Sequence, residues 1–347
     1  MRRIFPFSAI VGQEHMKNAL LYNAVDPSIG GVLIRGEKGT GKSTAVRAVA
    51  EILPPRFTIA GCRFHCHPNQ KEGLCPECQA RRDNGEVFEL TEEPTHVVDL
   101  PLNASEDRVV GSIDIETAIK SGQRRFEPGI LSATHRAILY VDEVNLLDDH
   151  IVDILLDVAV TGVNVVEREG VTYTHPSRFI LVGTMNPEEG ELRPQLLDRF
   201  GLCVDIQAEH ASERRMQIVR RSMDFQANPQ EFLERWQEAQ DNLGHNIRQA
   251  RDLLPKITPS DELLEMAAEL SIQMQVDGHR AEIIIVKTAL ASAAFNGRTT
   301  PSFDDVREAA ILALAHRVKR RPLDETSFQP HQVDSILQRH FSQKEPP

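Results

Sequence analysis

The residues 36–43, Gly36-Glu37-Lys38-Gly39-Thr40-Gly41-Lys42-Ser43, have the spacing G-x-x-x-x-G-K-S, which suits a loop wrapped around phosphate groups. Gly36, Gly39 and Gly41 let successive backbone N–H groups turn inward around β- and γ-phosphates. Lys42 adds a point charge, Ser43 offers a hydroxyl to Mg2+, and a helix opening here through Thr44 adds its positive end. Further along, Ile138-Leu139-Tyr140-Val141 runs into Asp142-Glu143. Two carboxylates at the end of an apolar strand are costly unless they serve a cation. Asp142 is the expected holder of the Mg2+ shell and Glu143 the expected orienter or base of an attacking water. Asn186, just past the run Phe179–Gly183, is a candidate sensor of a γ-phosphate, and the rival reading is a simple turn residue. Arg199, in Leu196-Leu197-Asp198-Arg199-Phe200-Gly201, is a candidate arginine supplied to a neighbouring subunit's phosphate. Arg193 competes for that role, and a surface ion pair is the alternative for Arg199.

Positioning these groups calls for a parallel sheet. Gly31–Arg35, Val97–Leu100, Ala137–Val141 and Phe179–Gly183 read as buried strands separated by helical crossovers, and Ile151, Ile154, Leu155 and Val158 give one crossover an apolar face. Residues 163–175 read as an inserted hairpin with Arg168-Glu169-Gly170 at its tip. Residues 101–130, with Arg124-Arg125, read as a protruding loop or second hairpin. Beyond Leu202–Ile206 the pattern is helical throughout. Thr258-Pro259 and Thr300-Pro301 read as helix starts, with Thr258 as N-cap, and Ala281–Ala294 as a helix between them. The expected fold class is α/β, a phosphate-loop domain with a central parallel sheet and hairpin insertions, followed by a small all-helical C-terminal domain. The expected division is an ATPase domain over residues 1–220, a helical linker over 221–255 and a helical lid over 256–347.

The chain of 347 residues carries 39 basic and 51 acidic residues, a net charge of −12, which argues against a protein built to coat nucleic acid. No run approaches the length of a membrane span, and Met1-Arg2-Arg3 leads into a mixed segment without the apolar core of a secretion signal, so a cytoplasmic location is expected. Four of the five cysteines crowd into Cys62-x3-Cys66-x8-Cys75-x2-Cys78, within the loop 61–80. That set suits structural Zn2+, with a redox pair at Cys75/Cys78 or plain reduced thiols as the other readings. Cys203 reads as a core residue.

In this order, the phosphate loop, Asp142-Glu143, Asn186, Arg199 and the helical C-terminus resemble the AAA+ ATPases. Within them the chain resembles the I-subunit family of magnesium chelatase. The strings that carry this are Phe7–Gln13, Asn23–Pro27, Leu100-Pro101, Glu106–Gly111, Tyr140–Leu147, Asn186–Gly201 and Val276–Arg280. The resemblance implies that Ile10, Val11 and Gly12 line the adenine side of ATP and that Arg280 is a second sensor arginine, acting in its own subunit or in a neighbour. It further implies ATP and Mg2+ as cofactors and a ring, usually hexameric, of identical subunits. Hydrolysis there drives Mg2+ insertion into protoporphyrin IX on a large porphyrin-binding subunit, through a bridging subunit. A motor for cobalt insertion, or an ATPase that remodels another metalloenzyme, is the alternative. A nucleic acid translocase is disfavoured, since Arg168 is the one basic residue at its hairpin tip.

Overall fold

Five short strands pair in parallel, and two apolar clusters cover the two faces of the sheet they form. The computed structural model describes residues 3–70, 73–114, 125–168, 170–318 and 328–344. Arg124 and Glu169 lie outside the described residues. The strands are β1 (Val32–Gly36), β4 (Val97–Asp99), β7 (Ile138–Val141), β10 (Ile180–Met185) and β11 (Leu202–Ile206), in the order β11-β1-β10-β7-β4. Three short antiparallel pairs accompany them: β2 (Arg56–Ile59) with β3 (Leu90–Glu93), β5 (Gly111–Asp114) with β6 (Arg125–Pro128), and β8 (Val163–Arg168) with β9 (Val171–Pro176). The hairpin expected at 163–175 is thus present, and the segment 101–130 contains a helical turn and a second strand pair.

Alternation along β1 assigns the two cores. Val32 and Ile34 join one apolar cluster with helices α1 (Glu14–Val25) and α2 (Lys42–Ile52) and with the C-terminal helices. Leu33 points into the other cluster, with Ile151, Leu155 and Val158 of α6 (Asp149–Thr161) and with Phe64, Phe126 and the buried cysteines. Both faces are covered, which explains why these strands read as continuous apolar runs. Short helices α3 (Pro76–Asp83), α4 (Glu106–Val110) and α5 (Ile130–Ala133) lie between the strands, and α7 (Pro194–Arg199) precedes β11. Two longer helices, α8 (Ser212–Ala227) and α9 (Pro229–Leu253), then lead to a bundle of α10 (Asp261–Gln273), α11 (Arg280–Phe295), α12 (Phe303–Leu314) and α13 (Pro330–Lys344).

Two helix starts differ from the sequence reading. The cap of α10 is Ser260, whose hydroxyl accepts from Leu263 N at 3.2 Å, and not Thr258. Helix α12 begins after Ser302, which forms a reciprocal capping box with Asp305, two residues beyond Thr300-Pro301. In each case the serine is followed by acids in the first turn, which favour the positive helix end, while the Thr-Pro pair lies in the extended approach. Asp305 is held further by Arg298 at 2.5 Å and Ser292 at 2.6 Å. No helix among the described residues is long and apolar enough to cross a membrane.

His175 on β9 is 1% exposed, with Nδ1 positioned to donate to Pro176 O and Nε2 to accept from Asn164 Nδ2, each at 2.9 Å. A second ring proton would face a donor, and burial already pushes the imidazole down to about 4. The unfolded chain therefore binds a proton that the folded chain refuses between pH 6.5 and about 4. The contribution is whole above pH 6.5 and is lost as pH falls through that window, a matter of roughly 3 kcal/mol. Chemical denaturation at stepped pH should show a shallower acid loss of stability in His175→Gln than in the parent chain, by about that amount.

Candidate functional site

Strand order brings the chemistry together. Because β10 lies between β1 and β7, the chain leaving each of these strands at its C-terminal end meets the other two on one edge of the sheet. From β1 comes the loop Gly36–Gly41, with Gly39 and Gly41 at φ +83° and +84°, where a side chain would be strained. A Cβ on Gly36 would sit 2.4 Å from Ile206 O, so the loop can leave the sheet only through glycine. Helix α2 starts at Lys42. The Lys42 ammonium donates to Gly36 O and, at 3.0 Å, to Glu37 O, and Thr40 Oγ1 donates to Glu37 O at 2.9 Å. Burial pushes the Lys42 ammonium below its usual range, against the pull of Asp142 and Glu143.

From β7 come the two carboxylates. Asp142 Oδ1 accepts from Thr184 Oγ1 at 2.6 Å and from Tyr140 OH at 2.8 Å, both hydrogen bonds falling on the same oxygen. Tyr140 is kept protonated by burial, which raises its phenol above the usual range. Thr184 also accepts from Glu143 N at 3.3 Å, so one hydroxyl on β10 fixes both acids. Glu143 itself is at φ +54°, ψ +54°, a left-handed conformation that costs a non-glycine residue on the order of 1–3 kcal/mol. Lys38 bridges it at 3.5 Å to Glu189 at 2.5 Å. From β10 comes Asn186, 5% exposed, whose Oδ1 accepts from Glu188 N at 3.3 Å. That contact makes it a turn residue as well and leaves Nδ2 as the donor open to an oxygen.

Lys38–Thr44, Asp142, Glu143, Thr184, Met185 and Asn186 line a cavity of about 450 Å3. Sharing its Gly39–Gly41 and Thr44 wall, a second cavity of about 600 Å3 is lined by Ile10, Val11, Ile218, Val219 and Arg221. One cavity is polar and rich in donors; the other is apolar and has room for a flat heterocycle. Gly12 adjoins the second cavity at φ +65°, between Val11 and Gln13 of its lining. The donor set fits Mg2+: a hydroxyl from Ser43 and a carboxylate from Asp142 whose two internal hydrogen bonds leave Oδ2 free of protein donors.

Arg199 and Arg280 are not in either cavity. Arg199 pairs with Asp153 at 2.9 Å and Asp157 at 3.0 Å, and Arg193 with Asp149 at 2.5 Å, so the acids at i, i+4 and i+8 of α6 hold both competing arginines. Arg280, at the start of α11, lies 3.8 Å from Asp198 on α7. Beside it is Arg317, a residue that sequence reasoning missed. Its side chain is 1% exposed, and the guanidinium donates to Asp198 Oδ1 at 3.1 Å and to the carbonyls of Asp198, Phe200 and Gly201 at 2.7, 2.6 and 3.0 Å. Burial lowers its pKa to about 10, still charged at neutral pH, with Asp198 opposing the shift. Thr184, Tyr140 and Arg317 carried no sequence signal beyond polarity at the end of an apolar run.

Cys62, Cys66, Cys75 and Cys78 form no disulfide, and their sulfur atoms lie within 4.8 Å of one another. The redox-pair and metal readings therefore concern one cluster, whereas Cys203 is a buried core thiol pushed up to about 12 by desolvation. At the hairpin tip, Arg168 is paired with Asp107 of α4.

A phosphate loop after β1, an acid pair after β7 and a polar sensor after β10 between them define a P-loop ATPase with a helical lid. Residues 85–200 match the family model of the AAA domain (dynein-related subfamily), and residues 264–339 match that of the AAA lid domain. The chain is 52% identical to the magnesium-chelatase subunit ChlI homolog of Methanocaldococcus jannaschii, over 97% of this chain and 92% of that one. It is 48% identical to the magnesium-chelatase 38 kDa subunit of Acidiphilium rubrum, over 98% of both. A chain in the cryo-EM-based structure of the complex between subunits BchI and BchD of magnesium chelatase matches with TM-score 0.55 and 45% identity, covering 97% of this chain and 100% of that one. The chain belongs to the magnesium-chelatase I-subunit family of AAA ATPases.

Glu143→Gln should lower ATP hydrolysis by roughly 10²–10⁴-fold, because the amide cannot take a proton from water. Equilibrium binding of a fluorescent ATP analogue should change little, since Lys42, Ser43 and Asp142 keep their contacts.

Proposed function

We propose that this chain is the ATPase motor of a magnesium chelatase, hydrolysing ATP in a ring of identical subunits to drive Mg2+ insertion into a porphyrin on a partner subunit. The observation that carries the reading is the pairing of a complete phosphate and water-activating cavity with two arginines, Arg199 and Arg280, that lie outside it. Phosphoryl transfer needs positive charge on the γ-phosphate, and Lys42 supplies only part of it. The remainder comes from Arg199 of an adjoining subunit, with Arg280 in support, so the active site is completed at a subunit boundary.

Within the site each residue has a task. Backbone N–H groups of residues 38–43 and the Lys42 ammonium hold the β- and γ-phosphates. Ser43 and Asp142 would hold Mg2+, which when bound would neutralise phosphate charge. Glu143, fixed by its strained backbone, orients the attacking water and takes its proton. Asn186 Nδ2 donates to the γ-phosphate or the water. Ile10, Val11 and Gly12 form the adenine side.

Cleavage of the γ-phosphate removes the charge that holds Arg199 to the neighbouring site, and Arg199 sits directly after Asp198, the residue clamped by Arg317 of the lid. Loss of the contact is thereby passed to the lid and to whatever the ring touches. The relative BchI is solved in complex with BchD, which supports a second chelatase subunit as a partner here; the porphyrin-binding subunit follows from the proposed reaction.

Reconstitution tests the reading. Mixed with a bridging subunit and a large porphyrin-binding subunit from a related chelatase, the chain should give Mg-protoporphyrin fluorescence that requires ATP, with Arg199→Ala at least tenfold slower. Hydrolysis without metal insertion in any such mixture would reject the chelatase assignment while leaving the ATPase intact.

A further inference from the structure

The cysteine cluster is on the face of the sheet opposite α2, in the apolar core shared by α6 and the inserted strands. Its members come from two approaches of the chain. Cys62 and Cys66 lie in the turns after β2, while Cys75 caps α3 and Cys78 occupies its first turn. Cys66 and Cys75 are 0% exposed and Cys78 is 1% exposed. The Cys62 and Cys75 sulfurs are 3.9 Å apart, far beyond a disulfide bond and close to the roughly 3.8 Å that a tetrahedral ion with bonds of about 2.3 Å sets between its sulfurs. A four-iron cluster spreads its cysteines around a cube, and four sulfurs within 4.8 Å leave it no room.

Backbone amides face the sulfurs as they would face thiolates. Phe64 N reaches Cys62 Sγ at 3.4 Å, Cys75 N reaches Cys66 Sγ at 3.3 Å and Cys78 N reaches Cys75 Sγ at 3.4 Å. Three buried thiols packed together without an ion would be a crowded, poorly satisfied set of polar atoms in an apolar core. The donor set is all sulfur and closed, with no position for water, which is the arrangement of a structural and not a catalytic site.

What the cluster grips is equally specific. Phe64, between Cys62 and Cys66, is fully buried, with its ring 4.7 Å from His175 and 6.0 Å from Tyr173 on β9, and 6.1 Å from Phe126 on β6. Phe126 and Tyr173 stack at 4.1 Å, joining the two hairpins to each other. Arg63 donates to Phe126 O at 3.4 Å and pairs with Glu77 of α3.

We propose that Cys62, Cys66, Cys75 and Cys78 bind one Zn2+ as a closed tetrathiolate site, and that the ion fastens the β5–β6 and β8–β9 hairpins to the ATPase core. Zinc, having no redox chemistry, suits a site whose task is mechanical. Binding releases the thiol protons and leaves a thiolate cage around the ion. The inference stands apart from the choice of chelatase, because it concerns the position of the hairpins and not what they touch.

The test uses the full chain, purified without a metal-binding tag. Elemental analysis should find about one zinc per chain. Cys75→Ser/Cys78→Ser should lose it, bind an ATP analogue within about twofold of the parent, and exchange backbone amides of 125–127 and 163–168 at least tenfold faster. Should that variant not fold, a mercurial that titrates the thiols of the parent chain should release zinc to a dye with the same gain in exchange, reversed when thiol and Zn2+ are restored. Iron in place of zinc, a disulfide, or four reactive thiols with less than about 0.2 metal per chain would overturn the site. Stoichiometric zinc whose removal leaves hairpin exchange unchanged would overturn its role as a fastener.

Discussion

Parallel pairing of β1 with β10, and of β10 with β7, is the constraint on which the rest of the molecule depends. In the register Val32 to Val182 and Val182 to Tyr140, all three strands end on the same side within a few residues of one another. Lys42, Asp142 and Asn186 thereby meet although 100 residues of chain separate the first two. Nearly all side chains of these three strands are buried on one face or the other, which holds their ends still. A groove of donors and carboxylates can then remain wet and charged at the sheet edge without burying unpaired charge. Thr184 refines this placement by tying Asp142 and the Glu143 backbone to one hydroxyl.

The second organising interaction joins the lid to the first domain. Arg317 stands at the end of the apolar helix α12, yet its guanidinium satisfies three carbonyls and one carboxylate around the turn from α7 into β11. With Arg280 also on Asp198, the lid grips the segment that carries Arg199. Movement of the lid and movement of that arginine are therefore mechanically linked. The acids of α6 hold Arg193 and Arg199 in ion pairs open to solvent, which are weak, so exchanging either partner for a phosphate would cost little.

Sequence made the strands, the phosphate loop, the acid pair and the inserted hairpin at 163–175 legible, because each is a local pattern with a local cause. Apolar runs mark buried strands, glycines mark the loop, and paired acids mark a cation. What it concealed depends on distant contacts. Ser260 and Ser302 cap helices that Thr258 and Thr300 seemed to begin, since the choice turns on which residue remains extended when the bundle packs. Arg317 reads as an ordinary helix-end cation until Phe200 and Gly201 are beside it. Arg168 reads as a free hairpin tip until Asp107 of α4 reaches it. The cysteine spacing showed a cluster; only the fold showed that Phe64, between two of its members, packs against both strand pairs.

Hydrolysis by mixed variants reports whether each active site is assembled from two subunits. Arg199→Ala keeps an intact cavity but offers no arginine, while Glu143→Gln offers the arginine but cannot activate water. Each alone should be nearly inactive, and an equimolar mixture should regain a substantial fraction of the parent rate, at boundaries where an intact cavity meets an intact arginine. A mixture that hydrolyses ATP no faster than the sum of its components would contradict assembly of the site from two subunits.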